Sequence, residues 1–204
     1  TKDIESFTDK SLSGLLNQGG TMLGTSREKP FKKGGVVSDV DKPALILQNI
    51  QEMGLDCVVC IGGNGTQKTA AKFAAMGVNI VSVPKTIDND IWGTDYTIGS
   101  DTAANTIIDA VNKLRDTASA HRRIAVVEVM GRKCGWLAMI SGISGGAESV
   151  LVPEAEYNLD TVCAEIKTAY ARGKRYCLVI VAEGVGSGIE IGKAIGEKTG
   201  IDTR

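Results

Sequence analysis

The sequence predicts an α/β fold in which parallel sheets are covered by helices. Apolar runs of strand length alternate along the chain with segments whose apolar residues recur at helical spacing. Glycine makes up 25 of the 204 residues, which exceeds the usual ~7%, and it lacks the three-residue period of collagen. Strands and helices that alternate through many glycine turns are typical of parallel sheets with helical crossovers.

The elements follow in this order. Short runs rich in small and β-branched residues predict strands at residues 57–61, 79–83, 123–129, 149–152 and 177–182. The helical spacing of apolar residues predicts helices at residues 8–17, 42–53, 67–76, 101–117, 135–144, 160–172 and 189–198. Residues 29–41 are polar and turn-rich, which favours a surface loop.

Composition and charge exclude several classes of protein. With 43% hydrophobic and 23% charged residues, the chain can bury a core. A net charge of −1 provides no general attraction for nucleic acid or for an anionic membrane. We find neither a signal peptide nor an apolar span of roughly 20 residues, so a cytoplasmic protein is expected.

The cysteine and histidine content limits the kinds of catalytic and metal site that the chain can form. Five cysteines, an odd number, do not suit a secreted disulfide framework. Cys57 and Cys60 have the spacing of a redox motif, but positions i and i+3 of a strand face opposite ways, so we interpret both as core residues. His121 is the only histidine, which argues against a His-rich zinc site and a serine triad. Catalysis by carboxylates, cations and a metal ion remains.

A polar run follows the predicted strand 79–83. Pro84 lacks the N–H that a central strand requires, so the run should lie at the carboxyl end of the strand, where open α/β sheets bind ligands. Thr86 supplies a hydroxyl there, and Asp88 and Asp90 supply carboxylates suited to general base catalysis or to Mg²⁺. The alternative is an Asx-rich turn whose side chains only satisfy their own backbone.

A glycine-rich turn follows the preceding strand. Residues 62–66 read Gly-Gly-Asn-Gly-Thr and lead into the predicted helix 67–76. Glycines allow the backbone to approach a phosphate, and the free N–H groups of a first helical turn favour an anion. A tight turn that needs φ > 0 would also explain the glycines, but together with the polar run the motif favours a nucleotide or a polyphosphate.

These motifs resemble those of the 6-phosphofructokinase family. Five pieces occur in the family's order, at residues 62–66, 84–99, 126–132, 153–156 and 182–184. The resemblance implies two Rossmann-like parallel-sheet domains with helices on both faces, with residues 1–99 in the phosphoryl-donor domain and residues 100–204 in the sugar-phosphate domain. It also implies a homo-oligomer, a dimer or tetramer, that phosphorylates the 1-hydroxyl of fructose 6-phosphate with the help of Mg²⁺.

On the donor side, the resemblance implies a role for each matching residue. Asp88 matches the catalytic base that accepts the proton of the sugar hydroxyl, and Thr86 matches a residue beside the transferred phosphoryl group. Lys85 would lie where the donor phosphates lie. The implied ligands of Mg²⁺ are Asn64, Asp88 and Asp90. The implied nucleotide-binding residues are Arg27, Gly62, Gly63, Asn64, Gly65 and Thr66.

On the acceptor side, the resemblance implies a site shared between subunits. Arg132 matches a catalytic clamp from the second domain, and a guanidinium suits phosphate oxygens. Arg123 and Arg204 match arginines that hold the 6-phosphate of the sugar from a neighbouring subunit. The implied sugar-binding residues are Thr86, Asp88, Asp90, Arg123, Met130, Gly131, Arg132, Glu183 and Arg204.

Two positions depart from the family's usual pattern. Asn64 stands where the family has an acid that helps to hold Mg²⁺. Because an amide brings no charge, Asp88 and Asp90 would supply more of the negative charge that binds the metal. Lys85 is typical of pyrophosphate-using members, whereas Gly65 leaves room for the α-phosphate of ATP. The combination resembles a hybrid group that uses ATP, which we favour as the donor, and a pyrophosphate-dependent phosphotransferase is the alternative.

Two other classes of protein share single features with this sequence. NAD and lipid kinases share the glycine-rich turn but not the motifs at residues 86–90 and 130–132. A nonenzymatic regulatory subunit is compatible with Asn64, but the presence of Asp88, Arg132 and Glu183 argues against it. The family also has an earlier phosphate loop and later elements that this sequence does not contain, so we expect a fragment that is inactive alone.

Overall fold

The computed structural model describes residues 4, 6–8, 12–26, 28–31 and 41–204, in which helices and strands alternate. The helices are α1 (Lys42–Glu52), α2 (Asn64–Ala75), α3 (Ser100–His121), α4 (Trp136–Gly145), α5 (Leu159–Ala171) and α6 (Gly188–Thr199). The strands are β1 (Val58–Gly62), β2 (Ile80–Thr86), β3 (Ile98–Gly99), β4 (Ile124–Val129), β5 (Ser149–Leu151) and β6 (Cys177–Ala182).

These strands form two three-stranded sheets with parallel pairing throughout. The first sheet has the order β1-β2-β3 and the second has the order β4-β6-β5. The predicted α/β fold with parallel sheets is therefore confirmed. Because the strands of a sheet run in one direction, the loops after them gather at one edge, and the predicted polar motifs lie in these loops.

The central strand β6 organises the second sheet. All of its residues are buried, and alternate side chains face opposite ways. Leu178 and Ile180 pack in a cluster with side chains of α3 and α4, whereas Val179 and Val181 pack in a cluster with side chains of α5 and α6. Helices therefore cover both faces of this sheet, and the core of the molecule lies here.

The first sheet is covered on one face by α2, which buries Phe73. Val58 and Cys60 of β1 are half-buried, whereas Val59 and Ile61 are exposed. This is the alternation expected of a strand with one covered face. The other face of the first sheet is open as far as the described residues go.

The interpretation of Cys57 and Cys60 as core residues is wrong for the first and only partly right for the second. Because β1 begins at Val58, Cys57 lies before the strand and is exposed, and Cys60 is half-buried under α2. All five cysteines are free thiols. Burial raises the pKa of Cys60, Cys163 and Cys177, which keeps these thiols protonated at neutral pH.

The predicted helix at residues 8–17 is not continuous. The described residues keep one helical hydrogen bond, from Leu12 N to Thr8 O at 3.3 Å, and residues 9–11 lie outside them. Gly14 then adopts a left-handed φ of 80°, and only a 3₁₀ turn, Leu15–Asn17, follows. A glycine in this conformation ends a helix, because an α-helix needs a negative φ at every residue.

Two predicted boundaries near the polar motifs are also wrong. The strand β2 does not end before Pro84 but continues to Thr86, because the residues around the missing N–H still pair: Pro84 lies opposite Gly62, and Lys85 lies opposite Ile98. The helix α2 begins at Asn64, three residues earlier than predicted. The strand β3 was not predicted, since two residues are too short to show a period.

The segment 202–204 runs along the outer edge of β4. Ile124 N donates to Asp202 O at 2.9 Å, Arg204 N donates to Ile124 O at 3.0 Å, and Val126 N donates to Arg204 O at 2.7 Å. These bonds add a short parallel pairing to the second sheet, with Thr203 opposite Ile124. In the part of the chain that the structure describes, no helix has the length and apolarity needed to cross a membrane.

Candidate active site

The turn after β2 buries one carboxylate and exposes another. The side chain of Asp88 is 10% exposed, and its backbone N–H donates to Thr86 Oγ1 at 3.2 Å. Asn89 follows with a left-handed φ of 52°, a conformation that asparagine tolerates better than most residues. Beyond this reversal, Asp90 is exposed. The turn thus separates a sheltered carboxylate from a solvated one.

The glycine-rich turn lies beside this polar turn. The side-chain amide of Gln67 donates to Gly62 O at 2.9 Å and to Val83 O at 3.2 Å, which ties together the ends of β1 and β2. A Cβ on Gly63 would lie 3.5 Å from Cβ of Thr86. The two motifs are therefore neighbours in space.

Residues 64–66 form the first turn of α2. The first helical bond runs from Gln67 N to Gly63 O at 3.0 Å, so the N–H groups of Asn64, Gly65 and Thr66 have no partner within the helix. They lie at the carboxyl edge of the first sheet, where the helix dipole also favours an anion. Gly65 is exposed, and in the described part of the chain no atom lies within 4 Å of the place its Cβ would take.

A second loop, which follows β4, is held by Glu183. The Oε1 atom of Glu183 accepts hydrogen bonds from Gly131 N at 2.9 Å and from Arg132 N. These bonds from Arg132 and Gly131 lower the pKa of Glu183 below its ordinary value of 4.5. The other carboxylate oxygen, Oε2, takes no hydrogen bond from the described part of the chain, so it remains open to a ligand.

The backbone of this loop is tightly constrained. Gly131 has a φ of 148°, and a Cβ on it would lie 2.3 Å from Cys134 O. Arg132 has a left-handed φ of 55°, and a Cβ on Gly184 would lie 2.3 Å from Arg132 O. Only glycines fit at both positions, so the loop has one well-defined path.

Sequence reasoning assigned no role to Glu154. Its Oε1 atom accepts from Gly135 N at 2.8 Å, directly before α4. The loop from Gly131 to Gly135 is therefore held by a carboxylate near each end, Glu183 and Glu154. Both glutamates follow the carboxyl end of a strand of the second sheet, and that position is the signal by which Glu154 could have been found.

The loops of the two sheets meet at Asp88 and Arg132. The Nε atom of Arg132 lies 3.8 Å from Oδ2 of Asp88, and the arginine side chain is otherwise 80% exposed. Two groups predicted from separate motifs are thus brought together. The aromatic rings of Tyr96 and Trp136 add a further contact, edge to face, with centroids 6.3 Å apart.

The remaining predicted residues of this edge are accessible. Lys85 is exposed on β2, and Met130 is exposed where β4 ends. Arg27 lies outside the described residues.

Arg123 and Arg204 lie apart from these loops. Arg123 directly precedes β4, at the end of the second sheet opposite to Arg132. Its Nε atom lies 3.4 Å from Oδ2 of Asp202, and Arg204 is 3.5 Å from the other carboxylate oxygen of Asp202. The two predicted phosphate-binding arginines therefore neighbour one another, but they lie at the end of the strands opposite to Glu183.

The predicted ligands of Mg²⁺ provide hard oxygen atoms. Among the described residues, no three His, Cys, Asp or Glu side chains form a metal-binding group. Mg²⁺ commonly takes only one or two carboxylates and completes its shell with water and substrate phosphates. The carboxylates of Asp88 and Asp90 and the amide oxygen of Asn64 are of the ligand type that such a shell uses.

Comparison with known proteins shows similar sequences in two bacteria. The chain is 67% identical over 210 residues to ATP-dependent 6-phosphofructokinase 3 of Bacteroides thetaiotaomicron, with 100% of this chain and 62% of that protein covered. It is 48% identical over 201 residues to ATP-dependent 6-phosphofructokinase of Bacillus pumilus, with 98% and 61% covered. The chain thus spans about three fifths of the length of these relatives.

A solved structure extends the likeness to three dimensions. Phosphofructokinase of Pichia pastoris in the T-state matches 94% of this chain and 24% of its own, with 32% sequence identity and a TM-score of 0.83. The sequence profile of phosphofructokinases matches residues 1–204. Because this profile matches every residue of the given sequence, the chain belongs to the phosphofructokinase family.

Proposed function

We propose that the protein carrying this chain transfers a phosphoryl group from ATP to the 1-hydroxyl of fructose 6-phosphate, a cytoplasmic step of glycolysis. One observation carries the proposal: a sheltered carboxylate, Asp88, lies 3.8 Å from an exposed guanidinium, Arg132, where the loops of two parallel sheets meet. The names of bacterial relatives, ATP-dependent 6-phosphofructokinases, support it.

In this proposal residues 1–99 serve the phosphoryl donor and residues 100–204 serve the sugar phosphate. The first sheet ends with β3 at Gly99, and α3 begins at Ser100. That junction supports a division at this point of the chain.

Asp88 acts as the general base. Its carboxylate accepts the proton of the 1-hydroxyl while the hydroxyl oxygen bonds to the terminal phosphorus of ATP. The bond from that phosphorus to the bridging oxygen breaks, and ADP leaves with the electron pair. Arg132 places positive charge beside the phosphoryl group in transit, with Thr86 on its other side. Positioning and charge supply most of the rate in such reactions.

The donor phosphates lie at the N-terminus of α2. The free N–H groups of residues 64–66 and the ammonium group of Lys85 carry the positive charge that the phosphates need. Mg²⁺, when bound, neutralises further phosphate charge, and Asn64, Asp88 and Asp90 are the residues that would hold it.

The sugar lies at the loop after β4. Glu183 keeps Oε2 for a sugar hydroxyl while Oε1 fixes the backbone of Gly131 and Arg132. Met130, exposed at the start of this loop, is a further contact. Glu183 is ionised at neutral pH, and its lowered pKa keeps it ionised further into the acid range.

ATP is the donor that the space around Gly65 favours. No atom of the described residues lies within 4 Å of a Cβ at this position, so the first turn of α2 leaves room for an α-phosphate. Lys85 favours the alternative, a pyrophosphate-dependent phosphotransferase. Its ammonium group would add a cation to that of Arg132 beside the terminal phosphates, which suits pyrophosphate.

The site is shared between subunits of a homo-oligomer. Arg123 and Arg204 neighbour one another at the end of the second sheet opposite to Arg132, so in one subunit they are poorly placed to bind the same sugar as Glu183. A pair of arginines there suits the 6-phosphate of a sugar bound by a second subunit. Mixing inactive Arg132→Ala and Arg204→Ala subunits should restore part of the activity, and no recovery would contradict sharing.

The main test uses full-length protein, fructose 6-phosphate, Mg²⁺ and either ATP or pyrophosphate, with formation of fructose 1,6-bisphosphate as readout. We expect ATP to give the higher kcat/KM, and Arg132→Ala to lower it by at least ~10²-fold. Lys113→Ala, which removes an exposed ion pair on α3, is the matched control. Faster turnover with pyrophosphate would favour the rival transferase, and sugar binding without turnover would favour a regulatory subunit.

A further inference from the structure

The side-chain amide of Asn89 forms hydrogen bonds through both its oxygen and its nitrogen, and these bonds close the loop of residues 89–97. Its Oδ1 atom accepts from Thr97 N at 2.9 Å and from Thr97 Oγ1 at 3.2 Å. Its Nδ2 atom donates to Asp95 O at 3.2 Å. The residue next to Asp88 is therefore tied to a segment eight positions later in the chain.

Thr97 connects this loop to two rigid elements. It is 3% exposed, and its Oγ1 atom donates to Thr86 O at 2.7 Å, at the end of β2. Its carbonyl oxygen accepts from Ser100 N at 3.2 Å and from Ser100 Oγ at 2.8 Å, at the start of α3. Ser100 is itself fully buried. Thr97 is thus fixed between a strand and a helix.

Asp88 lies between the two residues that Thr97 holds. Thr86 precedes it and is bound through its carbonyl oxygen, while Asn89 follows it and is bound through its amide. The N–H of Asp88 also donates to Thr86 Oγ1. The left-handed φ of Asn89, 52°, sets the direction in which the chain leaves Asp88. These bonds fix the backbone on both sides of Asp88, and they therefore set the position from which its side chain extends.

We propose that Asn89 and Thr97 are positioning residues for the phosphoryl transfer, and that they fix the carboxylate of Asp88 for proton acceptance. The inference rests on the proposed function, in which Asp88 is the base. Neither residue needs to touch the substrate. Their loss should act on kcat more than on the KM for fructose 6-phosphate, because the sugar-binding loop at Glu183 belongs to the second sheet and shares no hydrogen bond with either residue in the described part of the chain.

The test compares isosteric and conservative variants in full-length protein. Thr97→Val keeps the shape but removes the hydroxyl that bonds Thr86 O, and it should lower kcat by about 10-fold to 10²-fold with KM changed less than about threefold. Thr97→Ser keeps the hydroxyl and should recover most of kcat. Asn89→Gly keeps the left-handed backbone without the amide, and it should lower kcat in the same way.

A matched control removes a threonine hydroxyl elsewhere. Thr106 on α3 donates to Thr102 O at 2.9 Å and is exposed, so Thr106→Val should leave kcat unchanged. Circular dichroism and thermal unfolding of every variant report on the fold. If Thr97→Val lowers stability but keeps kcat, the residue is only structural and the proposal is overturned.

A double mutant separates this proposal from the proposed function. If Thr97 acts through Asp88, Thr97→Val should cost little further activity once Asp88→Asn is present, because its target has already been removed. Full additivity of the two losses would overturn the positioning role. A normal kcat for Asp88→Asn alone would instead overturn the proposed function, whatever Thr97→Val does.

Discussion

The Nε atom of Arg132 lies 3.8 Å from the Oδ2 atom of Asp88, so the residue that leads out of β4 meets the residue that leads out of β2. The loop conformation directs this contact, because Arg132 adopts a left-handed φ of 55° while its N–H is held by Glu183. The guanidinium remains largely exposed, so it can also contact a phosphate. A sheltered carboxylate and an exposed guanidinium from different sheets thus share one edge of the molecule.

Replacing Asp88 tests the base. Asp88→Asn keeps the size of the side chain but removes the proton acceptor, so kcat in the full-length protein should fall by at least ~10²-fold. Steady-state kinetics with saturating ATP and fructose 6-phosphate measure it. A kcat within about threefold of the parent protein would remove Asp88 from the mechanism.

Replacing Gly65 tests the donor. None of the residues that the structure describes comes within 4 Å of a Cβ at this exposed position, so Gly65→Asp should fold normally. Its carboxylate would repel and crowd an α-phosphate, so kcat/KM for ATP should fall more than kcat/KM for pyrophosphate. Gly65→Ala adds a side chain without charge and is the control. Equal losses with both donors would show that Gly65 does not select ATP.

Replacing Asn64 tests the metal ligands. Asn64→Asp adds a hard anionic oxygen at the start of α2, where a negative charge also suits the helix dipole. The Mg²⁺ concentration that gives half-maximal activity should fall several-fold in a metal titration. Asn105→Asp adds the same charge to an exposed position of α3 and serves as control. An unchanged titration would place Asn64 outside the metal's shell.

The lowered pKa of Glu183 predicts how stability depends on pH. Hydrogen bonds from Arg132 N and Gly131 N favour the ionised carboxylate in the folded state. Its stabilising effect should therefore be complete above the ordinary pKa of 4.5 and be lost as the pH falls through the lower folded value. Glu183→Gln should unfold at a lower temperature than the parent protein at pH 7, and the difference should shrink below pH ~4.5. A difference that is the same at pH 7 and pH 4 would contradict this assignment.

Gly184 tests the packing of the loop after β4. Its missing Cβ would lie 2.3 Å from Arg132 O, a backbone atom that can move only with the whole loop. Gly184→Ala should destabilise the protein by about 1–3 kcal/mol and raise the KM for fructose 6-phosphate. Gly65→Ala, at an open position, should do neither. Calorimetry measures the stability of both variants, and steady-state kinetics measure their KM. Unchanged stability and an unchanged KM for Gly184→Ala would contradict the described path of the loop.

The sequence by itself determined the order of most helices and strands, because the periods of 2 and 3.6 residues are local properties. It also showed the glycine-rich turn and the polar run as candidate site motifs, since each is continuous in the chain. Local patterns did not predict every element boundary. At Gly14 one backbone angle interrupts the predicted helix, and at Pro84 pairing with β1 extends the strand.

The tertiary structure alone decided which distant residues meet. Three relationships depend on sheet order and loop conformation, which no local sequence period predicts. They are the contact of Arg132 with Asp88, the hydrogen bond from Gly131 to Glu183, and the bonds between Asn89 and Thr97. The same holds for Arg123, whose position at the opposite end of β4 follows from the direction of the strand. Side chains far apart in sequence share a site only because parallel strands bring their carboxyl ends to one edge, and that requires the whole sheet to assemble.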